Sequence, residues 1–192
     1  MGKVALDKTM SLDGFIAGPN DDVTRLFAWY GGKPIEALEI LGDPLKTTGA
    51  VVMGRRSFDM IDSPNGWVTP DGTSLPWPVF VLTHEPLEKV TKGATTFTFV
   101  TDGIESAVTQ AKAVAGDKNV GVMGANTAQQ CIKAGLLDEI HIHLVPVLLG
   151  EGIRLFDHLG TEHIELERTR VIESPGITHL SFRVVKDGGN RP

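Results

Sequence analysis

Short apolar, β-branched runs recur along the chain, separated by stretches whose apolar positions fall at helical spacing. VALDKTM from Val4, AVVM at 50–53, VFVL at 79–82, TTFTFV at 95–100, NVGVM at 119–123 and EIHIHLV at 139–145 have the length and composition of buried strands. Between them, DGIESAVTQAKAVAG places Ile104, Ala107, Val108, Ala111 and Val114 on one face, with Asp102 and Glu105 spaced as a capping pair and Gly116 at the exit. A second helix is expected after Pro34, with Ile35, Leu38, Leu41 and Leu45 on one side. A third follows Gly124, with Asn126 as cap, Gln129 as its capping partner and Gly135 at the end. From Glu162 the text changes to HIELERTRVIES, the turn Ser174-Pro175-Gly176, and ITHLSFRVV, the pattern of a β-hairpin. Strands alternating with helices predict an α/β protein with a mostly parallel sheet that ends antiparallel. Repeats and internal linkers are absent, so residues 1–186 read as a single domain and 187–192 as a loose tail. The Pro- and Gly-rich loop from Asp62 to Pro78, carrying Trp67 and Trp77, is long enough to be either a functional loop or a surface excursion.

Composition narrows the classes. At 192 residues and 41% hydrophobic, the chain can bury a core without a staple. Its one cysteine, Cys131, falls at an apolar helix position and reads as a small buried hydrophobe, which suits a reducing cytoplasm. The N-terminus lacks a signal pattern, and no run reaches the roughly eighteen apolar residues of a membrane span. A net charge of −6 repels phosphate backbones and anionic lipid, so neither nucleic acid nor membrane is an expected partner.

In an open α/β sheet, ligands sit beyond the carboxyl ends of the strands, where helix starts present free N–H groups. Three stretches have that form. VVMGRRSF brings Gly54, Arg55, Arg56 and Ser57 to a helix start, where two arginines oppose the macrodipole unless an anion or solvent relieves them. VFVLTH puts Thr83 and His84 directly after a strand. VGVMGANTAQQ puts a glycine turn at a third helix start, where backbone can approach a ligand closely. Three such sites on one sheet are what a dinucleotide would use. His141 and His143 share a strand face, but the sequence names no third ligand, so a polar edge or dimer surface is preferred to a metal site.

SLDGFIAG at 11–18, MGRRSF at 53–58 and MGANTAQQCIKAGLLDEIHIHLVPVLLGEGIRLF at 123–156 together resemble the dihydrofolate-reductase superfamily, specifically stand-alone relatives of the reductase domain of the bifunctional riboflavin-biosynthesis deaminase/reductase. The resemblance implies a three-layer α/β/α fold, NADPH as hydride donor, and a homodimer. It implies that Gly54, Arg55, Arg56 and Ser57 hold the 2′-phosphate region, that Thr83 and His84 face the adenosine ribose, and that Met123, Gly124, Ala125, Asn126 and Thr127 border the pyrophosphate. Ile16, Ala17 and Gly18 would form the loop over the nicotinamide. Where those reductases carry a lysine on the first strand this chain has Asp7. Met123 stands in place of an acidic residue and Gly124-Ala125 in place of Gly-Gly, and because the first strand lies at the start of the sequence no deaminase part is expected before it.

Hydride transfer asks a protein to align cofactor and acceptor and to manage one proton. Asp13, beside Gly14 at the end of the first strand, is the expected polar group at the reacting centre, with Phe15 and Glu151 as further substrate contacts. A turn aspartate and a solvated loop glutamate are the competing readings. The expected function is an NADPH-dependent reductase of a small heterocyclic or carbonyl substrate, in the manner of the 5-amino-6-(5-phosphoribosylamino)uracil or dihydrofolate reductases. The alternative is a non-catalytic nucleotide-binding or dimerisation module.

Overall fold

The computed structural model describes residues 2–30, 46–68, 72 and 74–186; the helix expected after Pro34 and the tail at 187–192 lie outside the described residues. The strands are β1 (Val4–Ser11), β2 (Phe15–Ala17), β3 (Thr48–Gly54), β4 (Pro78–Leu82), β5 (Val90–Lys92), β6 (Thr95–Val100), β7 (Asn119–Met123), β8 (Glu139–Val145), β9 (Ile153–Arg154), β10 (Leu166–Ser174) and β11 (Ile177–Val184). The α-helices are α1 (Thr24–Phe27), α2 (Arg55–Ile61), α3 (Ile104–Ala115) and α4 (Ala125–Lys133). Nine strands form one sheet in the order β10-β11-β8-β1-β7-β3-β4-β6-β5, and β2 pairs with β9 apart from it. The run from β8 to β6 is parallel throughout. The C-terminal hairpin adds β11 and β10 antiparallel at one edge, as expected, and the short β5 adds a second antiparallel edge that the sequence pattern did not announce.

Helices cover both faces, which makes the expected three layers. On one face α3 and α4 bury Ala107, Val108, Ala111, Ala128 and Cys131 against Leu6, Val52, Val120 and Ile140. On the other, Phe58 of α2 meets Phe97 and Phe99 edge-on, with ring centroids 5.0 and 5.2 Å away. The loop after α2 is tied to this second cluster, because Trp67 and Trp77 pack on it and on each other at 5.4 Å. Burial of the Cys131 thiol pushes its pKa up to about 12, which fits a packing residue.

Helix entries differ from the expected caps. Gly103 and Gly124, both at φ of 93°, are the N-cap residues of α3 and α4, without side-chain capping bonds. Asp102 instead accepts a bond from the Ser106 hydroxyl at 3.3 Å, Asn126 lies inside the first turn of α4, and Gln129 points away from it. A sharp strand-to-helix turn at positive φ needs glycine more than it needs a capping oxygen. Val114 is exposed and Ala115 takes its place on the buried face of α3. Gly135, at φ of 64°, closes α4 as expected.

Candidate active site

β7, β3 and β4 are neighbours in the sheet, so the three strand ends fall side by side at its carboxyl edge; helices follow β7 and β3 as expected, whereas the segment carrying Thr83 and His84 leads from β4 to β5 without a helix. A cavity of about 560 Å³ opens there. Gly54, Arg56 and Ser57 enter it from the β3–α2 junction, and Met123 through Thr127 from the β7–α4 junction. The junctions touch: a Cβ at Gly124 would lie 2.8 Å from Ser57 Oγ, and one at Gly54 3.2 Å from Thr127 Oγ1. Gly124 is held by its backbone angle and by the approach of Ser57, while a side chain at Gly54 would press on the Thr127 hydroxyl. Arg56 reaches Asp21 at 2.7 Å. Asp21 itself sits at φ of 61°, a conformation costly for a non-glycine residue and concentrated at functional sites.

Ile16 and Ala17 line the cavity from β2. Their strand is anchored from behind. β9 pairs with β2, and the glycine at 152 makes the approach possible, since a Cβ there would lie 2.0 Å from the Ala17 carbonyl oxygen. Gln129 Nε2 donates from α4 to the carbonyls of Arg154 at 3.3 Å and Leu155 at 3.0 Å. The helix of MGANTAQQ and the loop of GEGIRLF are thus one unit that fixes the wall formed by FIA.

The remaining expected residues lie elsewhere. Asp13 does not line the cavity. It accepts from the Ser11 hydroxyl at 2.6 Å, from the Gly150 amide at 2.8 Å and from the Leu149 amide at 3.2 Å. The Ser11 bond, with the two amides adding to it, holds its carboxyl down at about 2, so at neutral pH it is an ionised loop clamp and not a proton donor. The competing turn reading is the one the geometry supports. Phe15 is buried under the Arg154 guanidinium, 4.4 Å from its ring centroid, and Glu151 is exposed on the loop that Asp13 clamps. Gly18, Arg55, Thr83 and His84 also lie outside the cavity lining. Arg55 is engaged by Asp59 at 2.8 Å and Glu85 at 3.8 Å, which ties the start of α2 to the segment after β4 that carries Thr83 and His84.

The inner end of the cavity holds residues that sequence reasoning did not assign to the site: Asp7, Lys8 and Thr9 of β1 and His143 of β8. The polar-edge reading of the histidines is corrected here. β8 is an interior strand and His143 is buried, with Nε2 3.0 Å from Asp7 Oδ1 and Nδ1 2.7 Å from Nδ1 of His179, also buried. His141 bonds Ser181 Oγ at 3.0 Å. Burial opposes the charge on Asp7, but the hydrogen bond and charge of His143 outweigh it and hold the carboxyl below its ordinary value. Burial lowers the pKa of the Lys8 ammonium against the pull of Asp7. The available signal was an aspartate and a lysine in the middle of an otherwise buried central strand.

A family model for the RibD C-terminal domain matches residues 2–177. The chain belongs to the RibD C-terminal domain family. The uncharacterized protein YyaP of Bacillus subtilis (strain 168) is 28% identical over 191 residues, covering 94% of each chain. Among solved structures, a protein of Shewanella sp. PV-4 named for riboflavin biosynthesis superposes with a TM-score of 0.73 at 23% identity, over 97% of this chain and all of the other. Dihydrofolate reductase from Enterococcus faecalis, complexed with NADP(H) and RAB-propyl, superposes at 0.61 and 13% identity over 96% of this chain and 98% of its own. The fold is that of the dihydrofolate reductases. Among the described residues no helix is long and apolar enough to cross a membrane, and no cluster of three metal-ligating side chains forms.

Proposed function

We propose that the protein is a reductase that uses NADPH to reduce a small heterocyclic or carbonyl compound held at the inner end of the cavity. The observation that carries this reading is the meeting of two glycine-built helix starts with the FIA wall around one cavity. The first amides of α4, at Ala125, Asn126 and Thr127, precede its first intrahelical bond, from the Ala128 amide to the Gly124 carbonyl, and suit a pyrophosphate. Arg56 supplies the cation at the mouth. When bound, the cofactor supplies a hydride; the chain's part is to orient it, to exclude water with Ile16 and Ala17, and to present the acceptor to Asp7, Lys8 and His143. Family membership and the NADP(H) complex of the E. faecalis enzyme support the choice of cofactor.

Titration with NADPH, followed by nicotinamide fluorescence, should show saturable binding that NADH matches only weakly. Absorbance assays with dihydrofolate, the ribosylaminopyrimidine of riboflavin synthesis, quinones and aldehydes should then find an acceptor. Binding without reduction of any of them would favour the non-catalytic module.

A further inference from the structure

Asp7, His143 and His179 form one hydrogen-bonded line across three neighbouring strands, and register explains it. Thr9 pairs with His143 between β1 and β8, and His143 with His179 between β8 and β11, so all three side chains share a sheet face. The imidazole centroids are 4.8 Å apart, and Trp29 lies against both rings at 6.4 and 5.7 Å. Asp7 and His143 line the cavity described above. Asp7, His143 and His179 also line a second, polar cavity of about 410 Å³, which His141, Arg170 and Ser181 help to enclose. Asp7 and His143 therefore border both cavities, and His179 extends the line along the second.

Its proton count is constrained. An ionised carboxylate only accepts, so His143 Nε2 carries a proton. The two Nδ1 atoms share one more. Either His179 donates it to a neutral His143, or a cationic His143 donates to His179, whose own proton then sits on Nε2. That Nε2 is buried and has no hydrogen-bond partner among the described residues. The two states differ by one proton added at the far end of the line and one charge gained beside Asp7, which is what a relay requires. Burial first, then the neighbouring His143, push the His179 pKa down to about 4, so it passes a proton on without storing it.

We propose that the Asp7–His143–His179 line supplies the proton that accompanies hydride transfer; this rests on the reductase reading above. The acceptor carbon takes the hydride with its electron pair, and the π pair of the C=O or C=N bond moves to the heteroatom. Starting from the cationic state, His143 Nε2 passes its proton to Asp7, and the carboxyl so protonated gives one proton to the heteroatom and returns to carboxylate, leaving His143 neutral with its proton on Nδ1. The nicotinamide ends oxidised, the acceptor ends reduced, and the pair ends one proton short. His179 restores that proton from the side of the second cavity. Asp7 is the residue that meets the acceptor; the two histidines act through it.

His143→Gln and His179→Gln each keep an amide able to hydrogen-bond but unable to carry a proton. Hydride transfer should fall by about 10²–10⁴-fold in both, with NADPH affinity by fluorescence unchanged. Independently of turnover, wild-type protein should show a far-downfield proton resonance for the shared Nδ1 proton, with imidazole nitrogen shifts to match, and either substitution should abolish it. Absence of that resonance in the wild type overturns the relay even if both variants fail to fold. Wild-type rates in folded variants overturn it too. A protein that shows the resonance but binds no NADPH, or binds it and reduces nothing, overturns the reductase reading, and with it the line as a proton supply.

Discussion

Asp13 and Asp7 stand on the same strand or its exit, and their surroundings give them opposite employment. Asp13 faces hydrogen-bond donors that favour its charge, whereas Asp7 faces a cavity and a histidine. Asp13→Asn keeps the shape but not the charge, so it should lower thermal stability and leave NADPH affinity intact, measured by melting and by fluorescence titration. Because the folded-state pKa of Asp13 is depressed from 3.8 to about 2, its contribution is complete above the ordinary aspartate value and is lost as pH falls towards 2. His179 behaves otherwise. Its folded-state value is lowered from 6.5 to about 4, so on acidification the unfolded chain takes the proton first and stability falls across that window, then no further from this group. Asp7, His143 and Arg170 bear on it, and their charges set the depth of the fall. Melting at about pH 7 and about pH 5 should show a larger drop for the wild type than for His179→Gln. A drop of equal size in both would show that the histidine is not the group that senses acid.

At the scale of elements, periodicity was enough where one face is buried and the other wet. It placed the six strands from β1 to β8 that make the parallel block, the helices α3 and α4, and the terminal hairpin. It missed β2, β5 and β9 because strands of two or three residues carry no period; they exist through pairing partners distant in sequence. The glycine junctions of the site were legible because positive φ and close approach both select glycine. The Asp7–His143 contact was not, since register across β1 and β8 decides it. Gln129 is the clearest case. Spacing suggested a capping partner, yet the side chain is buried and spans from α4 to the carbonyls after β9. Gln129→Ala should leave two carbonyls without their donor and cost about 1–3 kcal/mol in denaturant unfolding, with NADPH affinity weakened because the β2 wall loosens. A loss of stability with wild-type cofactor binding would separate that wall from the site. Gly124→Val is a poor probe by comparison: the side chain would strain the turn and strike Ser57 before any ligand is involved.

Across the whole molecule, charge bears on the proposed cofactor. A chain of net charge −6 repels a dinucleotide at long range, and the cavity mouth carries Asp21 and Asp157 as well as Arg56 and Arg154. Arg56 is neutralised by Asp21 in this structure, at an exposed pair where the bond itself contributes little to folding. On the proposed reading its value is in binding: a 2′-phosphate would offer a second, stronger acceptor, with Asp21 as a competitor for the guanidinium. Arg56→Ala alone removes an attraction and exposes a repulsion, so it should weaken NADPH by about 10- to 100-fold, the range of a charge-assisted hydrogen bond, and barely touch NADH. Asp21→Asn should strengthen NADPH. Combined, the two substitutions should give NADPH affinity above that of Arg56→Ala, because the stranded carboxylate is gone, and the difference from additivity measures the Arg56–Asp21 coupling. Arg55→Ala should act more weakly, since Asp59 and Glu85 already occupy that guanidinium and it lies outside the cavity lining. Fluorescence titrations of both cofactors at two salt concentrations read all four variants, and equal losses for NADPH and NADH in Arg56→Ala would remove the 2′-phosphate from the arginine's role.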